Sequence, residues 1–81
     1  MSIEEIKNTV IKERRAIDLQ NPLNGLLSTV VFDKKKSKSK EIYDKIKILR
    51  VNLSNNNEIL YMIEMEDGKR KYVFEKEIKI I

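Results

Sequence analysis

Apolar residues recur along this chain in three different rhythms, and each predicts a different element. From Ser2 to about Asp18, Ile3, Ile6, Val10 and Ile17 follow steps of three, four and seven, with Ile11 beside them. This is one narrow stripe of helical period, so it predicts an amphipathic helix over 2–18 that lies on a sheet rather than inside it. Ser2 and Glu5 form the capping box Ser-x-x-Glu, and Met1 and Ile6 take the positions of a hydrophobic staple. Glu4 and Glu5 in the first turn, and Arg14 and Arg15 near the last, suit the helix macrodipole. Asn21-Pro22 is expected to end the helical region, because proline pushes the preceding residue out of α, and Asn24-Gly25 reads as a turn.

The remaining apolar segments have strand character. Residues 26–32, Leu-Leu-Ser-Thr-Val-Val-Phe, are β-branched and apolar on both faces. Residues 45–53 change phase: Ile46 and Ile48 share one face, whereas Leu49, Val51 and Leu53 share the other. Such a change predicts a bulge or sharp bend. Ser54-Asn55-Asn56-Asn57 is a turn, and 58–66 alternates cleanly, with Ile59, Tyr61, Ile63 and Met65 on one face. Asp67-Gly68 reads as a two-residue type I′ hairpin loop. Folding strand 69–75 back about it pairs Glu66 with Lys69, Glu64 with Lys71, Ile63 with Tyr72, Met62 with Val73 and Tyr61 with Phe74. Tyr61, Tyr72 and Phe74 then fall on the interior face as core residues. Glu75-Lys76-Glu77 is expected to form a 3-10 turn before a last short strand over 78–81.

The elements add up to an α+β fold: an N-terminal amphipathic helix packed on a five-stranded, strongly bent antiparallel sheet or small SH3-like barrel. From Leu26 onward the order of elements resembles an SH3-like small barrel. The segment Glu66-Asp67-Gly68-Lys69-Arg70-Lys71-Tyr72-Val73-Phe74-Glu75-Lys76-Glu77-Ile78 is similar to the distal hairpin, one-turn helix and last strand of SH3, Tudor and KOW-type domains. With the helix added, the order is also similar to Sm-like proteins. No ligand-binding motif of these families carries over. The chain has no Trp and no Ala-Leu-Tyr-Asp-Tyr-like segment for a proline-peptide groove. An aromatic cage would need Tyr61, Tyr72 or Phe74 outside the core. Arg70 is followed by Lys71, where an Sm-like signature would have Arg-Gly.

Eighty-one residues are expected to make one domain, 1–81, with a small core. With neither His nor Cys, a conventional zinc site is excluded, and the commonest general base and activated thiol are missing. Gly25 and Gly68 are turn glycines rather than a phosphate loop. A non-enzymatic protein without cofactors is therefore expected. No run approaches the length of a membrane span, and the acidic, amphipathic start is unlike a secretory signal, so a cytoplasmic location is the expectation. A single Ala among many Lys, Ile, Asn and Glu is the bias of an AT-rich genome, such as that of a low-GC bacterium, its phages or plasmids, or an archaeal virus.

Charge then singles out one segment. Residues 34–50 hold eight basic residues and two acids (Glu41, Asp44), a local net of +6 in a chain whose total is +4. Lys34, Lys35, Lys36, Lys38 and Lys40 are expected on a basic loop over 33–44, between the first two strands. Lys45, Lys47 and Arg50 on the following strand would extend that loop into one basic surface, and Tyr43 beside it is either the one aromatic suited to stacking on a base or a residue at the edge of the core. The opposing reading is a solvated, mobile loop. Two partners fit a functional patch: nucleic acid, or an acidic surface on a host protein that a regulator or inhibitor of phage, plasmid or viral origin would block. A homodimer through the edge strand 78–81 is a third possibility. Lys7, Lys12, Arg14 and Arg15 form a weaker patch, diluted by Glu4 and Glu13, and read as a solvated helix face.

Overall fold

Ser2 caps the single helix in the computed structural model, which describes residues 2–81. Its Oγ accepts a hydrogen bond from the Glu5 N–H at 3.2 Å, so this half of the capping box is formed. The staple partner Met1 lies outside the described residues. The helix, α1, runs Ile3–Glu13 and stops earlier than its apolar stripe predicts. Arg14 adopts the left-handed conformation (φ 54°, ψ 43°) and returns its N–H to the Val10 carbonyl at 2.8 Å. Ile17, the last residue of the stripe, pairs with Val51 in the sheet instead. Sheet pairing of the residues that follow outweighs one more position of the helical stripe.

The sheet is antiparallel, with strands β1 (Ile17–Asp33), β2 (Lys38–Leu53), β3 (Ile59–Met65), β4 (Arg70–Phe74) and β5 (Ile78–Ile80). Their spatial order is β4-β3-β2-β1-β5, so β4 and β5 are the two edges of an open sheet. A 3-10 turn, Glu75–Glu77, joins them, held by the Glu77 carboxylate accepting from the Phe74 N–H at 2.9 Å. Both this turn and the short last strand match expectation, as does the 54–57 turn, where Ser54 Oγ accepts from the Asn56 and Glu58 N–H groups.

Asn21-Pro22 and Asn24-Gly25, expected as helix stop and turn, both lie within β1. The β1–β2 register jumps between Asp18 and Leu23, and Pro22 sits in that irregular stretch, where its missing N–H breaks no regular ladder bond. Gly25 is a close-approach position instead: a Cβ there would meet the Lys79 carbonyl of β5 at 3.1 Å and Ile46 Cδ1 at 3.3 Å.

The predicted bulge in β2 is present. Ile48 opposes Ile63 and Arg50 opposes Met62, which leaves Leu49 as the extra residue. Ile48 and Val51 are therefore both fully buried despite their odd spacing. The core comprises Val10 of α1 with Leu27, Ile46, Ile48, Val51, Tyr61, Ile63 and Val73. Leu27 and Val73 lie on strands separated by two others, about 14 Å apart in a flat sheet. They nevertheless line one shallow cleft with Thr29 and Lys71, so the sheet is strongly bent. Lys7, paired within α1 to Glu4 at 2.8 Å, ties the helix to the 3-10 turn by an ion pair to Glu75 at 3.3 Å.

The β3–β4 hairpin differs from its predicted register by one residue. Tyr61 pairs with Val73, Met62 with Tyr72 and Glu64 with Arg70. The loop is one residue longer than a two-residue turn: Met65 N–H donates to the Lys69 carbonyl, and Gly68, at φ 86°, donates back to Met65. A one-residue slip moves every side chain of the strand to the other face. Tyr61 remains core, 1% exposed, but Tyr72 and Phe74 are on the outer face, 45% and 40% exposed.

Candidate functional site

The β1–β2 pair outruns the rest of the sheet. Pairing with β5 ends at Leu27 and pairing with β3 ends at Ile46. Beyond these points Ser28–Asp33 and the facing part of β2 pair with each other alone, from Ser28 opposite Tyr43 to Asp33 opposite Lys38. Six residues at about 3.3 Å each make an arm about 20 Å long, and the molecule measures 48 × 26 × 20 Å accordingly. The expected basic loop over 33–44 is thus a tight turn over 34–37 followed by strand. Strand pairing satisfies backbone N–H and C=O groups that a long loop would leave to solvent. At the tip, Asp33 Oδ1 accepts from the Lys35 N–H at 3.0 Å and Ser37 takes a positive φ of 49°.

Alternation along the arm divides the predicted site between two faces. Lys34, Lys35 and Lys36 occupy the tip. Lys38 and Lys40 share a face with Val31 and Ile42, continuous with the core side of the sheet. Tyr43, Lys45 and Lys47 point to the opposite, outer face, together with Phe32, Val30 and Leu26. The bulge at Leu49 resets the phase, so Arg50 joins this outer row. The residues expected to form one basic surface therefore form a tip, an inner pair and an outer row.

Their ionic environments also differ. Arg50 is paired with Asp18, which raises its pKa further, and its Nη1 donates to the Tyr72 hydroxyl at 3.3 Å. Lys34, Lys35, Lys36, Lys38, Lys40, Lys45 and Lys47 make no ion pair among the described residues, whereas Lys7, Arg15, Lys69 and Arg70 do. Two acids of the arm make hydrogen bonds rather than ion pairs. Asp33 holds the turn, and Glu41 accepts from Ser28 Oγ at 2.6 Å. Hydrogen bonds from Ser28 and then Tyr43 hold the Glu41 carboxyl below its usual range, and the same contact raises the Tyr43 phenol. Against the seven lysines of the arm and its base stand three acids, Asp33, Glu41 and Asp44, so the arm keeps a net positive charge. In the weaker helix patch, by contrast, Lys7 and Arg15 are paired and Arg14 Nη1 donates to Asn57 Oδ1 at 3.1 Å.

Two features escaped the residue pattern. The first is the exposure of the arm's apolar residues: Val30, Val31, Phe32, Ile42 and Tyr43 are all 41–67% exposed. A run apolar on both faces reads as a buried strand, yet a core this small has no room for both sides of a long hairpin. The second is the outer face, where Tyr72 and Phe74 lie beside Met62 and Arg50. A three-residue loop with Gly68 left-handed was the available signal.

No family model, curated protein or solved structure matches this chain. Among the described residues, no helix is long and apolar enough to cross a membrane.

Proposed function

We propose that this protein binds nucleic acid through the β1–β2 arm, as a non-enzymatic domain whose element order resembles that of SH3-like and Sm-like barrels. The observation that carries the reading is the set of seven lysines on and below a projecting ribbon that have no ion-pair partner among the described residues. A duplex or strand presents a dense row of phosphates, and a narrow two-stranded ribbon is a shape that fits a groove. Lysines neutralise phosphates without reading bases, so the binding is tolerant of sequence and steeply dependent on salt. With about four to six phosphates neutralised, the log–log salt slope is about −4 to −5. Anisotropy titrations at two ionic strengths test this: salt-insensitive binding, or none at low salt, removes the proposal.

A second reading is favoured by one further observation, the five exposed apolar side chains of the arm. They fit a regulator or inhibitor that docks the arm on an acidic protein surface of a host. Recovery of a partner from lysate that survives nuclease treatment distinguishes this reading from the first.

A further inference from the structure

Resting on the nucleic-acid reading, we infer that the preferred ligand is single-stranded, and that it runs along the outer face of β2 between Tyr43 and Tyr72. Sequence-tolerant recognition of a single strand takes two things in one line: cations spaced along the backbone path and uncovered aromatic rings on which bases stack. The outer face supplies both. Tyr43, Lys45, Lys47 and Arg50 follow one another along β2 on that face, the last brought there by the bulge at Leu49. Tyr43 stands at the arm end, 52% exposed, and Tyr72 at the other, 45% exposed.

Tyr72 reaches this line although it belongs to β4. Met62 opposes Arg50 on one side and Tyr72 on the other, and the Tyr72 hydroxyl accepts from Arg50 Nη1 at 3.3 Å. This contact fixes ring and guanidinium side by side above Met62. From Tyr43 to Arg50 the strand covers about 20 Å, room for a few nucleotides of extended chain. α1 packs against the opposite, core side of the sheet through Val10, so it does not cover this row, in which Tyr43, Lys45 and Lys47 are exposed and Arg50 is paired with Asp18. A duplex keeps its bases stacked inside and makes no use of the two rings, so they discriminate in favour of a single strand.

The test uses the full chain, a fluorescently labelled short oligothymidylate, and a duplex of equal length. The chain has three tyrosines and no tryptophan, so tyrosine emission reports stacking directly. Tyr61 is buried, which leaves Tyr43 and Tyr72 as the quenchable pair. The expected result is tighter binding of the single strand, with quenching. Tyr72→Ala and Tyr43→Ala should each weaken it roughly tenfold, while Tyr72→Phe keeps most of the affinity and duplex binding hardly changes. A Lys34→Ala, Lys35→Ala, Lys36→Ala triple variant separates the two levels, because it should weaken both ligands. Equal or tighter duplex binding that ignores Tyr72→Ala overturns the single-strand inference and leaves the arm reading standing. Absence of binding to either ligand at low salt overturns both. Thermal melts of each variant, expected to match the parent at these exposed positions, exclude misfolding as the cause.

Discussion

Arg50 and Tyr72 meet across an intervening strand: Nη1 of the guanidinium donates to the phenol oxygen at 3.3 Å, above Met62 of β3. Arg50 is on that face because of the bulge at Leu49, and Tyr72 because of the register of the β3–β4 hairpin. Asp18 holds the same guanidinium from the β1 side, so the most internal cation of the outer row is also the one already neutralised.

Removing that neutralisation should strengthen anion binding. Asp18→Asn is expected to raise affinity for an oligonucleotide about two- to fivefold, the size of an exposed ion-pair interaction, with stability changed by less than about 1 kcal/mol. Anisotropy and urea denaturation of the variant check the two halves. A loss of affinity would mean that Asp18 orients Arg50 rather than masks it.

The hairpin register depends on Gly68, which sits at φ 86° in open space: a Cβ added there would meet nothing within 4 Å. Gly68→Ala therefore costs backbone strain alone, about 1–2 kcal/mol, and Gly68→Asn costs less, since Asn tolerates the left-handed region. Urea midpoints of the two variants should fall in that order.

Gly25 fails for the opposite reason, crowding. A side chain there meets the Lys79 backbone at 3.1 Å, and β5 must move away. Gly25→Val should destabilise by about 1–3 kcal/mol. Amide hydrogen exchange should report the loss first at Ile78–Ile80, with β3 and β4 less affected.

Tyr61 gives the fold an alkaline limit. Burial, and then the Glu75 carboxylate beside it, push its phenol up to about 12. The folded state holds this proton more tightly than the unfolded chain, whose tyrosine titrates near about 10. Its contribution is complete below pH about 10 and is lost as pH rises toward about 12. Lys7, raised chiefly by its hydrogen bond to Glu4, acts in the same direction. Tyr61→Phe should shrink the fall in urea midpoint between neutral and strongly alkaline pH without abolishing it. An unchanged fall would show that Tyr61 does not set the limit.

Much of the architecture was legible in the order of residues. The helix start at Ser2, the phase change of β2, the Asn-rich turn, the 3-10 turn and the short last strand are local features, set by capping, turn chemistry and alternation within a few residues. The α+β class follows from them. The helix end was not legible, because Ile17 suits either the helical stripe or a strand, and its pairing with Val51 decides between them. Asn24-Gly25 has turn composition, yet Gly25 is required by the close approach of β5, which lies far along the chain.

The candidate site divides along the same line. Sequence alone determined which residues carry the charge, since lysines at 34–40, 45 and 47 are basic wherever they are placed. Tertiary structure decided what that charge is attached to: a projecting ribbon rather than a loop, with two faces rather than one surface. It also decided that Tyr72 and Phe74 stand outside. That outcome turns on a single residue in the length of a hairpin loop, and because side chains alternate along a strand, one residue is enough to exchange interior for exterior.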